Sequence, residues 1–182
     1  MRPITESKFL TDSERERLLA TLEKDPSRDS LLLQLVLYTG GRGCEVISLS
    51  REAFNFNGQV SVTLKGAKGS NDRTIPLPAR LGRLLAEYMK TCGEGKPFQI
   101  TTRRLRQIWD FYRPNPTKGI HCLRHTSALL LYINCRDIML VKAYLGHRNI
   151  QNTLVYLEFV MGARELRNKM HGMWSVKISD VA

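Results

Sequence analysis

The spacing of apolar residues changes several times along the chain, and each change marks an element. Thr11-Asp12-Ser13-Glu14 has the T-x-x-E spacing of a capping box, and the LLATL run behind it supplies the buried stripe of a first helix. A second helix, capped by Asp29, carries Leu31, Leu32, Leu33, Leu35, Val36 and Leu37. It is apolar nearly all round and stops at Gly40-Gly41, where glycine suits a left-handed cap, so it is expected to be the spine of the core. A short helix over residues 44–49 comes next. The period then drops to two: Val60, Val62 and Leu64 alternate with Ser61, Thr63 and Lys65, as in a half-buried strand that leaves Lys65 on the polar side. Residues 66–71 read as a turn and Arg73-Thr74-Ile75-Pro76-Leu77 as the returning strand, which Pro76 confines to an edge or a strand end.

Helical spacing returns at Leu81, Leu84, Leu85, Tyr88 and Met89, and again at Leu105, Ile108 and Trp109 beside Arg103, Arg104 and Arg106. Pro114 and Pro116 interrupt the chain. Three helices are expected over 121–134, 137–145 and 149–156, and a last one carries Val160, Ala163, Leu166, Met170 and Trp174. The fold class is therefore α+β and mainly helical, with a small antiparallel β-hairpin or three-stranded sheet at one edge. Neither a repeat nor a composition shift divides the 182 residues, so a single domain over 1–182 is expected.

Charge narrows the partner. With 28 Lys and Arg against 17 Asp and Glu, the net charge of +11 asks for a polyanion. The basic residues are spread through folded segments rather than gathered in a tail or a basic amphipathic helix, which favours nucleic acid over a membrane surface. No apolar run approaches the roughly 20 residues of a membrane span, and MRPITESKF lacks a secretory apolar region, so a soluble, cytoplasmic protein is expected. Cys44, Cys92, Cys122 and Cys135 have neither CxxC spacing nor the density of a disulfide framework, and are expected to be reduced, mostly buried thiols.

Several cationic or imidazole side chains stand where packing does not require them. Arg42 follows two glycines at a helix end, Lys65 closes the polar face of a strand, His121 and Arg124 share a helical face, and His147 follows the helix stop Leu145-Gly146. Together they suit a phosphodiester: guanidinium forks bind nonbridging oxygens, imidazoles exchange protons near neutrality and a lysine can protonate a leaving oxygen. Taken singly, each has an ordinary structural role, Arg42 on nearby carbonyls, the histidines as satisfied helix or cap residues, Tyr156 as a core aromatic. A Walker loop, a dense acidic cluster and Cys/His zinc spacing are missing from the sequence, which leaves a side-chain hydroxyl as the candidate nucleophile and calls for no cofactor or metal.

The stretches TGGRGCEVISLS, VTLKGAKGSNDRTIPL, HCLRHTSA and YLGHRNIQNTLVYLEF resemble, in order and spacing, the signature boxes of the tyrosine recombinase or phage integrase family. The resemblance runs from about Leu31 to Phe159 and implies an integrase-like catalytic domain. It assigns Arg42 to the first box, Lys65 to the hairpin with Lys68 as competitor, His121 and Arg124 to H-x-x-R, His147 to L-G-H, and the nucleophile, nine residues later, to Tyr156. Departures are Cys122 inside H-x-x-R, Gly41 and Gly43 around Arg42, and apolar surroundings for Tyr156; none removes a reactive group.

The implied reaction is site-specific DNA recombination of the integrase or invertase type. Tyr156 would form a 3′-phosphotyrosyl link and free a 5′-hydroxyl, with Arg42 and Arg124 holding the nonbridging oxygens. His121 would assist proton removal from the tyrosine, His147 would donate to the phosphate and Lys65 would protonate the leaving oxygen. Double-stranded DNA is the implied partner, with a tetramer assembled on it through exchange of the C-terminal helix and an accessory DNA-bending or recombinase partner in some systems. Only 38 residues precede the first box, so the N-terminal arm or core-binding domain common in the family is expected to be absent. That fits an excised catalytic domain or a short stand-alone recombinase like the fimbrial-switch invertases. Rival readings are a catalytically inactive DNA-binding accessory protein of the same fold, a type IB topoisomerase, and a zinc hydrolase using His121 and His125, for which Cys122 stands where a glutamate is needed.

Overall fold

The computed structural model describes residues 4–67, 70–93, 95–161 and 170. Helix α2 (Arg28–Thr39) is the most buried element, with Leu31, Leu32, Leu33, Leu35 and Val36 all almost wholly withdrawn from water. Each such side chain contributes about 1.5–3 kcal/mol of burial free energy, which makes this helix the axis around which the others settle. Its N-cap is Ser27, whose hydroxyl accepts from the Ser30 N–H, rather than the expected Asp29. Asp29 lies in the first turn, where its carboxylate pairs with Arg28 and Arg104. Helix α1 (Asp12–Lys24) packs beside it and begins with the expected capping box between Thr11 and Glu14.

Helix α3 (Gly43–Ile47) leads into a three-stranded antiparallel sheet, β1 (Phe54–Asn55), β2 (Ser61–Leu64) and β3 (Arg73–Pro76), in that spatial order. Val62 pairs with Ile75 and Leu64 with Arg73. The period of two buries Val62 and Leu64, and Pro76 ends an edge strand, as its missing N–H requires. Helices α4 (Ala79–Thr91) and α5 (Thr102–Tyr112) complete the first apolar cluster. The two prolines after α5 belong to a pinned loop: Lys118, buried, reaches Glu14 at 2.5 Å, and Trp109 Nε1 donates to the Lys118 carbonyl at 2.7 Å.

A second, smaller cluster forms from α6 (His121–Cys135), α7 (Ile138–Leu145) and α8 (Gln151–Val160). Helix α6 joins the two, giving Cys122 and Leu123 to the first and Ala128, Leu129 and Tyr132 to the second. All four cysteines are free, but only Cys122 is buried; Cys44, Cys92 and Cys135 are half-buried near helix ends, which corrects the expectation of mostly buried thiols. Among the described residues no helix is long and apolar enough to cross a membrane. Ala163, Leu166 and Trp174 of the expected last helix, and Lys68 in the hairpin turn, lie outside the described residues.

Helix α7 ends at Gly146 with φ of +69°, and a Cβ there would come within 2.7 Å of the Asn71 carbonyl oxygen. The Asn71 N–H in turn donates to the Gly146 carbonyl at 2.8 Å, so the glycine holds α7 against the hairpin. Gly146→Ala should lower stability by at least about 1–2 kcal/mol, from left-handed strain alone, with the backbone clash added. A urea unfolding midpoint no lower than that of the parent protein would refute this.

Candidate active site

The site is built around a carboxylate. Glu45, in the first turn of α3, has a fully buried side chain and accepts four hydrogen bonds. Two come from Arg42, the backbone N–H to Oε2 at 2.9 Å and Nη1 to Oε1 at 3.1 Å. The third comes from Arg73 Nη2 at 2.7 Å and the fourth from the Ala67 N–H at 3.3 Å. Arg42 also donates to the Ser70 hydroxyl. Burial works to raise the Glu45 pKa, but the Arg73 hydrogen bond, the backbone N–H groups and the Arg73 charge outweigh it and hold the group ionised, below its ordinary range. Among the described residues two Arg73 nitrogens, Nε and Nη1, are buried without a hydrogen-bond partner, and the guanidinium's ion pair is with Glu45.

Arg124 enters from α6 and bridges two helix ends. Its guanidinium donates to the Gly40 carbonyl at the end of α2, and at 2.9 Å to the Leu145 carbonyl at the end of α7. Both ends close with a glycine in the left-handed region, which turns their last carbonyls toward one cation and adds the favourable end of each helix dipole. Arg124 Nη2 also meets His147 Nε2 at 3.1 Å. A guanidinium only donates, so Nε2 accepts and the proton sits on Nδ1, which faces the Thr153 hydroxyl at 3.0 Å. Burial first, then the charges of Arg124, Arg42 and Arg73, push the His147 pKa down to about 4.

Tyr156 lies in the middle of α8, only 2% exposed. Burial raises its pKa to about 12 against the opposing pull of Arg124 and Arg42. Its hydroxyl is 3.0 Å from His125 Nδ1. Burial, then the neighbouring His121, Arg124 and Lys8, lower the His125 pKa to about 4, so this imidazole is neutral near pH 7.

A cavity of about 460 Å³ opens over these groups, with Arg42, His121, Arg124, His147 and Tyr156 all on its wall. Five of the six residues singled out in the sequence are thus brought together. Lys65 is not. Strand parity turns Leu64 inward and Lys65 outward, where its ammonium pairs with Asp72 at 2.9 Å, 84% exposed, beside a different cavity next to Glu45. Two residues of the site went unassigned in the sequence. Glu45 stands three residues after Arg42, the spacing of an α-helical neighbour, and that was its only signal. His125 was visible only as a metal candidate; its Nδ1 is engaged by Tyr156, and among the described residues no group of three or more His, Cys, Asp or Glu side chains is placed to hold a metal.

Residues 8–161 match the sequence model of the phage integrase family. Among curated proteins, the chain is 30% identical over 167 residues to the tyrosine recombinase XerA of Pyrococcus furiosus, covering 85% of this chain and 58% of that protein. It is 33% identical over 167 residues to a tyrosine recombinase of Pseudothermotoga lettingae, covering 84% and 56%. The chain therefore spans little more than half the length of these relatives. Among solved structures, XerH site-specific recombinase bound to its difH substrate in a pre-cleavage complex superposes with a TM-score of 0.70 at 26% identity, over 90% of this chain and 53% of that one. The catalytic domain of bacteriophage HP1 integrase has the same fold, with a TM-score of 0.63 at 24% identity, over 90% and 95%.

A carboxylate ionised by buried partners stabilises the fold at neutral pH and loses that contribution in acid. The Glu45 pKa lies lower in the folded than in the unfolded chain, so its contribution is complete above the ordinary value near 4.5 and disappears as pH falls through the lowered one. Glu45→Gln, which leaves Arg73 buried without a counter-charge, should cost about 3 kcal/mol at pH 7 and flatten the acid limb of the stability profile. Urea unfolding from pH 7 to 3 tests both; an unchanged acid limb would show that Glu45 is not what titrates.

Proposed function

Because the chain belongs to the phage integrase family, we propose that it is the catalytic domain of a site-specific DNA recombinase, cutting and rejoining strands through a 3′-phosphotyrosine bond at Tyr156. The observation that carries this reading is the convergence of Arg42, His121, Arg124 and His147 with the Tyr156 hydroxyl on the wall of one cavity. The cavity is cationic, concave and deficient in counter-charge, which is what a phosphodiester supplies. Arg42 and Arg124 approach from different elements, so they can hold two nonbridging oxygens as negative charge grows in the transition state. In this DNA-free arrangement His147 Nε2 accepts from Arg124; a bound phosphate would offset the surrounding positive charge, favour the imidazolium and turn Nε2 into a donor.

Lys65 fits the role of proton donor to the leaving 5′-oxygen. Its pair with Asp72 is exposed and screened by solvent, so it exchanges readily for a DNA backbone that would bring the ammonium to the leaving oxygen. The partner is double-stranded DNA, a reading supported by the solved complex of the Tn1549 transposon integrase, of the same fold, with transposon right end DNA, and the working form is a tetramer assembled on that DNA. Activity of the integrase or invertase type in the cytoplasm, with an accessory partner in some settings, completes the reading. All the catalytic groups lie within one domain, and energy is conserved in the phosphotyrosyl link, so strand exchange needs no nucleotide cofactor.

Nicked suicide DNA sites test the chemistry directly. The parent protein should give a slow-migrating covalent adduct on a denaturing gel. Tyr156→Phe should bind DNA and give none; an adduct with this variant would remove Tyr156 as nucleophile. Arg124→Lys keeps the charge but loses the fork, and should slow adduct formation roughly a hundredfold to a thousandfold. Binding should weaken with salt with a log-log slope near −5 for about six phosphate contacts, and a slope near zero would exclude a phosphate-led interface.

A further inference from the structure

We propose that His125, rather than His121, is the residue that orients the Tyr156 hydroxyl and takes its proton during attack. This rests on the recombinase reading above and assigns a further catalytic residue to the same site. The geometry is direct. His125 Nδ1 stands 3.0 Å from the Tyr156 oxygen, with the rings tilted at 48° and their centroids 5.9 Å apart. In the tautomer with its proton on Nε2, Nδ1 accepts from the phenol, and proton transfer during attack requires that tautomer. His125 follows Arg124 on α6, and both side chains line the cavity that would receive the phosphate, so acceptor, nucleophile and oxyanion donor share one rigid frame.

The charged and titratable groups around this pair work in one direction. His121 and Arg124 on α6, and Lys8 from the three-residue turn Glu6–Lys8, bear on His125, while Arg42 and Arg124 bear on Tyr156. The imidazole is neutral because burial, and after it the neighbouring cations, oppose its protonation, while the phenol keeps its proton because burial outweighs the opposing pull of Arg124 and Arg42. A phosphodiester supplies the missing negative charge. As the Tyr156 oxygen bonds to phosphorus its O–H bond breaks, the proton passes to Nδ1, and the P–O5′ bond breaks with the leaving oxygen protonated by a separate donor. In rejoining, the His125 imidazolium returns the proton to the departing phenolate, so the residue is reset within each cycle.

The test uses His125→Asn, whose side-chain oxygen keeps an acceptor near the Nδ1 position but cannot take a proton, together with His125→Ala and His121→Ala. Single-turnover cleavage of suicide sites is followed from pH 5 to 9, with a gel shift for DNA affinity. Both His125 variants should bind DNA as the parent does and cleave about a hundredfold or more slowly. The parent rate should fall in acid as His125 protonates. In His125→Asn that limb should give way to a rise of about tenfold per pH unit, and added imidazole should partly restore His125→Ala. Nitrogen NMR of the free parent protein should show His125 Nδ1 unprotonated, with a resonance that moves in Tyr156→Phe. Cleavage by His125→Asn at the parent rate and pH profile, loss of the acid limb in His121→Ala instead, or a protonated Nδ1 would overturn the assignment, while adduct formation by the parent would leave the recombinase reading intact. A parent protein that makes no adduct on any site would remove that reading and this step together.

Discussion

A buried carboxylate with four donors is the constraint from which the rest of the site follows. Glu45 sits out of water, and its desolvation is offset only because Arg73, the Arg42 guanidinium and two backbone N–H groups converge on it. Those donors come from three places: the start of α3, the strand β3 and the turn after β2. One side chain therefore fixes the hairpin against the helix and aims Arg42 at the cavity. An apolar residue in its place could fill the volume, but it would leave Arg73 charged, buried and unpaired.

The second half of the site uses backbone rather than side-chain charge. Arg124 is held by carbonyls at the ends of α2 and α7, the first belonging to the left-handed Gly40 itself and the second to Leu145, just before the left-handed Gly146. The chain thus assembles three guanidinium groups near one cavity with a single fully buried carboxylate among them. Burial first, and then the surplus positive charge, depress both His125 and His147 and keep them neutral. In the proposed reaction a DNA phosphate would relieve that imbalance, which would couple binding to the readiness of the imidazoles for proton transfer through the same electrostatics.

The seam between the two apolar clusters gives the site its rigidity. Tyr156 belongs to the smaller cluster and Arg42 follows directly on elements of the larger one, while α6 runs through both and carries Arg124 and His125 between them. Tyr144, packed against both clusters, donates to the Tyr38 carbonyl and so ties α7 to α2 across the seam.

The sequence by itself determined the helices, the hairpin and the identity of most site residues. A capping box, a fully apolar helix ending in glycine and a period of two are local features, set by backbone sterics and side-chain periodicity, while Arg42, His121, Arg124, His147 and Tyr156 were legible through the order and spacing of the motifs that carry the family resemblance. The partners were decided only by tertiary structure. Nothing local shows that Glu45 would be shared by Arg42 and Arg73, 28 residues further along the chain, because that pairing depends on how the hairpin docks on α3. Nor does H-x-x-R-H reveal which histidine meets a tyrosine 31 residues after His125, since two imidazoles one helical turn apart differ only in which neighbour the packing of α8 brings within hydrogen-bonding reach.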